Sequence, residues 1–332
     1  MGAVAPASMP ALGEFELIDR FFNRPSRSAI LGIGDDAALV RPAPDTEMAI
    51  SVDMLVAGRH FFADTDPESL GHKTLAVNLS DMAAMGATPR WVLLAGALPQ
   101  ARAEWLQAFA RGFFALADAY GVELIGGDTT RGPLTLCVTI LGQVPSGQAL
   151  TRSGAKPGDT IWVSGPLGDA ALALAHHSGN IQLSSAERAR CDAALNRPNA
   201  RVALGERLRD VATAAIDLSD GLTGDLGHVL DASRVGAKLE LAAIPRSAAL
   251  DARLRGPERE CALRCLLAGG DDYELCFTVP PLKRAQVDSL GRELGLGLAC
   301  IGVVTEGSAL HIEDEAGLRL EPLPHAFDHF AD

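Results

Sequence analysis

Basic residues are scarce in this chain. Lys and Arg number 29 against 42 Asp and Glu, a net charge of −13. With so few cations to set against phosphates, general binding of nucleic acid or of anionic membranes is excluded. An enzyme of anionic substrates remains open, on condition that cations arrive with them. Long apolar runs are lacking too, since none approaches the roughly 20 residues needed to span a bilayer. The six cysteines (137, 191, 261, 265, 276 and 300) form no Cys-x-x-Cys pair and no zinc spacing. They read as buried free thiols of a cytoplasmic protein. Gly-x-x-x-x-Gly-Lys-Ser/Thr, His-Glu-x-x-His and Gly-x-Ser-x-Gly are all absent. P-loop nucleotide enzymes, zinc peptidases and α/β-hydrolases are excluded with them.

What is present is an ordinary globular composition, 48% hydrophobic and 21% charged, over 332 residues. That length suggests two domains. Residues 1–12 read as a flexible tail and 13–144 as an N-terminal domain. Residues 145–158, rich in Gly, Pro and Ser, read as a linker, and 159–332 as a C-terminal domain. Strands and helices alternate along the first half, predicting an α/β or α+β fold.

The central stretch is Ala76–Gly86 with its Asn78-Leu79-Ser80-Asp81 core. It reads as the end of a helix opened by Asp66-Pro67 and closed by Gly86 in the left-handed conformation. No Lys, Arg or His lies from Leu75 to Ala87. Asp81, among apolar neighbours, must therefore take up a proton or find a cation from elsewhere in the fold. Further helices are expected at 14–22, 103–120, 168–177, 186–195, 222–232 and 261–268. Strands are expected at 48–56, 91–98, 134–142, 160–164 and 273–279, and 214–221 reads as strand, loop and helix start. Gly126–Gly132 reads as a tight loop. The aromatic tail 324–330 is expected to be docked.

Six short acids, Asp36, Asp53, Asp81, Asp128, Asp217 and Asp220, follow apolar runs beside Gly or Ser. Leu79-Ser80-Asp81 is echoed by Leu218-Ser219-Asp220. Carboxylates of this kind suit a hard divalent cation such as Mg²⁺. Asp is equally suited to helix caps and turns, and Asp220 is placed to cap a helix from Leu222. His60 reads as a loop histidine or a ligand contact, and Arg152 as a phosphate clamp or a solvated charge.

Gly32-Ile33-Gly34-Asp35-Asp36, Ser51-Val52-Asp53, Asn78–Gly86, Gly126-Gly127-Asp128-Thr129, Ile216–Gly221 and Asp272–Leu275 occur in an order that resembles the thiamine-monophosphate kinase family. That family sits within the aminoimidazole ribonucleotide synthetase-like superfamily. The resemblance runs from about residue 13 to the C-terminus. It implies an N-terminal α/β domain whose sheet pairs in a homodimer, and a larger C-terminal α/β domain. It also implies ATP bound without a P-loop through several Mg²⁺ ions, and direct in-line phosphorylation of thiamine monophosphate, the last step of thiamine diphosphate biosynthesis. By position it assigns Asp36, Ser51, Asp53, Asp81, Asp128, Asp217 and Asp220 to magnesium, with Val52 through its carbonyl. Gly127, Asp128, Arg152 and Ser219 fall to ATP; His60, Asp271 and Phe327 fall to the thiamine moiety. Two positions depart from the pattern: Val52 stands where Thr is frequent, and Asp271 where Glu is usual. Superfamily members with sulfur or selenium chemistry call for a cysteine near the N-terminus or at the extreme C-terminus, and this chain has neither. A non-catalytic acidic metal-binding module is the rival of a different class.

Overall fold

A computed structural model of the protein describes residues 13–324. The sequence readings at residues 1–12, at the aromatic tail and at Phe327 fall outside the described residues. Elements run α1 (Glu14–Phe21), β1 (Thr46–Val56), α2 (Pro67–Ala84), β2 (Thr88–Leu98), α3 (Ala103–Tyr120), β3 (Glu123–Arg131) and β4 (Thr135–Pro145). They continue with β5 (Thr160–Val163), α4 (Asp169–His177), α5 (Ser185–Asn196), α6 (Val202–Leu208), β6 (Ala214–Asp217), α7 (Leu222–Ser233) and β7 (Gly236–Glu240). The last are α8 (Ala248–Leu254), α9 (Arg259–Ala268), β8 (Leu275–Val279), α10 (Arg284–Leu294), β9 (Ala299–Thr305) and β10 (Leu310–Glu313). No helix among the described residues is long and apolar enough to cross a membrane.

The chain divides into two compact units. One takes residues up to Arg41, Val52–Leu75 and Trp91–Thr139; the other takes Pro42–Ser51, Ala76–Arg90 and the chain from Ile140 onward. The cut falls inside β1, α2, β2 and β4. These four elements therefore contribute residues to both units.

In the first unit, β2 and β3 pair in parallel from Trp91↔Glu123 to Leu98↔Arg131, within a sheet of order β1-β4-β2-β3. Here the expected loop at 126–132 is corrected, because β3 continues through Gly126-Gly127-Asp128 to Arg131. A side chain at Gly127 is impossible in this ladder, since its Cβ would lie 1.9 Å from Leu94 O. Glycine in this segment serves close backbone approach within a bulged strand, not a turn. Helices α2 and α3 meet backbone to backbone: a Cβ on Gly71 would lie 2.0 Å from Phe109 O, and one on Gly112 1.8 Å from Glu68 O. Trp105, Phe109 and Phe113 stack along α3, and Leu17, Leu98 and Leu106 close a small core beneath α1.

The second unit is built on a six-stranded mixed sheet of order β10-β7-β9-β5-β8-β6. Its core gathers Ile161, Val163, Leu172, Ile216, Leu226, Leu266 and Ile301. The strand expected from Tyr273 begins only at Leu275, because Asp271 and Tyr273 both adopt left-handed backbone angles, φ +67° and +50°. The short elements α6, β7 and α8 carry too few residues for a periodic signal and were not expected.

The central helix behaves as its sequence dictates. Asp66 Oδ2 accepts from Ser69 N at 2.8 Å, capping the first turn, and Gly86 ends the helix at φ +63°. The C-terminal half of α2 then packs on α6, where a Cβ on Gly205 would lie 2.0 Å from Ala83 O. That closeness fixes the depth of Ser80 and Asp81.

Candidate functional site

Two carboxylates of the second unit form its acidic centre. Asp81 leaves α2 toward Ser51 of β1, whose hydroxyl donates to Asp81 Oδ2 at 2.5 Å. One residue earlier, fully buried Ser80 donates from Oγ to Asp217 Oδ2 at 2.7 Å. Asp217 ends β6, where it pairs with Leu275 of β8, and is 7% exposed. Burial drives the Asp81 carboxyl above its usual range, while the Ser51 hydroxyl and the charge of Arg152 pull it back. Asp217 is pushed up to about 7, first by burial and then by the Asp81 charge, against a lowering by Ser80. The cation that the local sequence denies Asp81 thus comes in part from Arg152.

Ser51 and Asp53 share the inward face of β1, as strand alternation requires. Ile50, Val52 and Met54 face outward with 64%, 59% and 55% exposure. Among the described residues, no three His, Cys, Asp or Glu side chains stand grouped to hold a metal ion between them. Mg²⁺ ordinarily takes only one or two carboxylates and completes its shell with water and substrate phosphates. A buried acidic pair whose charges oppose one another, as Asp81 and Asp217 do, fits that requirement.

The loop after β6 corrects one expectation. Asp220 does not cap α7, whose N-cap position is Gly221 with no side-chain cap; instead Asp225 on its first turn closes the preceding loop, its Oδ2 accepting from Ser219 N, Asp220 N and Gly221 N at 3.0 Å each. Burial and the Asp220 charge still lift Asp225 to about 6 despite these donors. Ser219 N serves Asp225 and Ser219 O accepts from Asp271 N at 2.9 Å, so both backbone groups of Ser219 are engaged within the fold. Sequence reasoning missed Asp225; a carboxylate on the first turn of a helix, four residues beyond Gly221, is the signal that could have found it.

The Gly269–Leu275 segment is laced to this loop. Besides Asp271 N to Ser219 O, Tyr273 N donates to Leu218 O and Leu218 N to Glu274 O, both at 2.8 Å. Gly269 and Gly270 supply room, not unusual angles: a Cβ on Gly270 would lie 2.3 Å from Ser219 O, and neither glycine is left-handed. The left-handed residue is Asp271 itself. Next to it, Asp272 Oδ1 accepts from Gly168 N at 2.8 Å at the start of α4, while its Oδ2 is buried and accepts no hydrogen bond. Burial holds that carboxyl well above the usual range, Glu274, Asp169 and Asp271 adding to the effect against the Gly168 N–H. Glu274 is clamped by Arg201 through Nε at 2.7 Å and Nη2 at 2.5 Å. These partners come from distant parts of the chain, so no local pattern exposes them.

The first unit carries the remaining residues. Asp36 is exposed between Gly34 and Ala38; Asp128 is exposed on β3 opposite Ala95, directly after Gly127. Asp53 lies near Cys137, whose thiol is raised by burial and further by the Asp53 charge. His60 follows β1 in the turn opened by Gly58, and its Nδ1 accepts from Val56 N at 3.0 Å. All six cysteines are free, with Cys191, Cys265 and Cys276 buried and the other three half-buried.

Comparison with known proteins places this geometry. Residues 34–144 match the AIR synthase related protein, N-terminal domain, and residues 156–315 match the AIR synthase related protein, C-terminal domain. The thiamine-monophosphate kinase of Escherichia coli (strain K12) is 49% identical over 330 residues, 97% of this chain and 99% of that protein. The crystal structure of thiamine-monophosphate kinase from Stenotrophomonas maltophilia K279a is 47% identical with a TM-score of 0.82, covering 91% of this chain and 97% of its own. The structure of AaThiL complexed with AMPPCP and TMP is 27% identical with a TM-score of 0.75, covering 96% and 97%.

Proposed function

The chain belongs to the thiamine-monophosphate kinase family, and on that premise we propose that it transfers the γ-phosphoryl group of ATP to thiamine monophosphate. In the transfer, an oxygen of the thiamine phosphate bonds to the γ-phosphorus as the bond to the β–γ bridging oxygen breaks, giving ADP and thiamine diphosphate. The acceptor phosphate has a second pKa of about 6, so near neutral pH it is already mostly the dianionic nucleophile. No general base is needed, and none is assigned. The difficulty is repulsion: like unit charges about 4 Å apart repel by roughly 4 kcal/mol at an effective dielectric near 20.

Asp81 and Asp217 are the observation that carries the reading. Burial makes both costly to ionise, and a divalent cation relieves that cost. We assign magnesium to Asp36, Ser51, Asp53, Asp81, Asp128, Asp217 and Asp220, with the Val52 carbonyl. Magnesium, when bound, neutralises charge between the two polyanions and aligns them. Ser51 and Ser80 orient the two carboxylates; Arg152 and the Ser219 hydroxyl face ATP, joined by Gly127 and Asp128; His60, Asp271 and Phe327 meet the thiamine moiety. The outward row Ile50, Val52 and Met54 on β1, an edge strand, supports pairing of two copies through this sheet. The six free cysteines fit a reducing cytoplasm.

The test is a product assay on the purified protein with ATP and magnesium, offering thiamine monophosphate or free thiamine. Thiamine diphosphate from the first and no phosphorylation of the second is the expected result. Magnesium binding with no ATP turnover dependent on thiamine monophosphate would return the protein to the non-catalytic acidic-module reading.

A further inference from the structure

Lys73 is the one charged residue in the fully buried part of α2, at 1% exposure. A buried ammonium lowers stability relative to an apolar side chain of the same length unless its donors are used. Its Nζ donates to the backbone carbonyl of His60 at 3.3 Å. The loop it holds is tightly closed. His60 N donates to Val56 O at 3.0 Å, Gly58 N to Phe61 O at 2.8 Å, and Val56 N to the ring nitrogen Nδ1 of His60 at 3.0 Å. A backbone N–H only donates, so Nδ1 carries no proton and the ring proton of the neutral imidazole sits on Nε2.

We propose that Lys73 is a positioning residue for thiamine monophosphate: with Val56 N–H it fixes His60 as an Nε2–H donor aimed at an acceptor atom of the substrate. Two bonds bear on His60 here. The Lys73 ammonium anchors the backbone at His60, and the Val56 amide sets the rotation and tautomer of the imidazole. The proposal rests on the reading of His60 as a contact to the thiamine moiety, and it adds the chemistry of that contact: His60 gives a proton to the hydrogen bond and does not accept one.

Steady-state kinetics and melting of Lys73→Met, His60→Ala and the double variant test it. Lys73→Met keeps the apolar stem and removes the ammonium. It should raise KM for thiamine monophosphate about tenfold, the size of one lost hydrogen bond, with KM for ATP changed by less than about twofold. Its unfolding should remain cooperative. His60→Ala should raise the same KM, and the double variant should be no worse than His60→Ala alone. If His60→Ala leaves KM for thiamine monophosphate unchanged, the reading of His60 fails. If His60→Ala raises it while Lys73→Met does not, or the two effects multiply, the Lys73 proposal alone is overturned. A Lys73→Met variant that no longer melts cooperatively places Lys73 in the fold and overturns it too. On the unaltered protein, ¹⁵N NMR of the histidine rings should show Nε2 of His60 protonated and Nδ1 bare; the opposite tautomer refutes the proposal directly.

Discussion

Ser80 Oγ donates to Asp217 Oδ2 at 2.7 Å, joining two residues 137 positions apart in the chain. Through this bond the helix motif Leu79-Ser80-Asp81 is tied to the strand-end motif Ile216-Asp217-Leu218 of the same unit. Ser80→Ala removes the donor and leaves a buried carboxylate short of a partner. A loss of about 1–3 kcal/mol is expected. The loss should be larger at pH 8.5 than at pH 5, because the hydroxyl chiefly supports the ionised form. Denaturant melts at the two pH values check it; an equal loss at both would contradict it.

Asp217→Asn should stabilise the metal-free protein at alkaline pH while abolishing kinase activity. The folded protein holds this proton up to about pH 7, whereas an unfolded Asp releases it near its ordinary value of 3.8. Between those values the native state binds more protons, so ionisation of Asp217 opposes folding increasingly as pH rises. Asparagine has no proton to lose. In EDTA the variant should gain on the order of 2 kcal/mol over the parent at pH 8 and almost nothing at pH 4. A gain independent of pH would show that the carboxyl is not the cause.

Asp81→Asn keeps the shape of the side chain and its bond from Ser51 while removing a charge. It should leave a folded protein with kcat lowered by about 100-fold or more and a weakened response to magnesium. Activity retained at ordinary magnesium concentrations would make Asp81 a purely structural acid.

Magnesium should be required beyond the amount that complexes ATP, because ions held by the protein must be loaded as well. Titrating magnesium at fixed ATP reads this directly, and EDTA should stop turnover reversibly. A rate that saturates once ATP is complexed would contradict it. The melting temperature should rise with magnesium in the parent and much less in Asp217→Asn.

Asp271→Gly is the variant that isolates the carboxylate at the position departing from the family pattern. Its backbone lies at φ +67°, where glycine is unstrained and alanine is not. KM for thiamine monophosphate should rise about tenfold, the equivalent of one charge-assisted contact, with Tm nearly unchanged. Asp271→Glu should alter that KM only modestly, and neither variant should move KM for ATP. A fall in Tm with both constants intact would make Asp271 a turn residue alone.

Much of this protein was legible in residue order. The cap at Asp66, the left-handed stop at Gly86, the helix from Ala103 to Tyr120 with Gly121, and the inward pairing of Ser51 with Asp53 all follow from periods of 3.6 or 2 residues and from turn chemistry. The ordered motifs were enough to name the family. Tertiary structure alone decided the partners. It put Arg152 within the field of Asp81, closed the loop before α7 with Asp225 and left Asp220 out of the cap, and carried β3 straight through Gly126-Gly127. It also turned Asp271, not its glycines, into the left-handed residue, and set Lys73 beneath His60. The physical reason is range: caps and stripes are settled between neighbours a few residues apart. The protonation of Asp217 depends on burial and on charges that only the packed fold brings near.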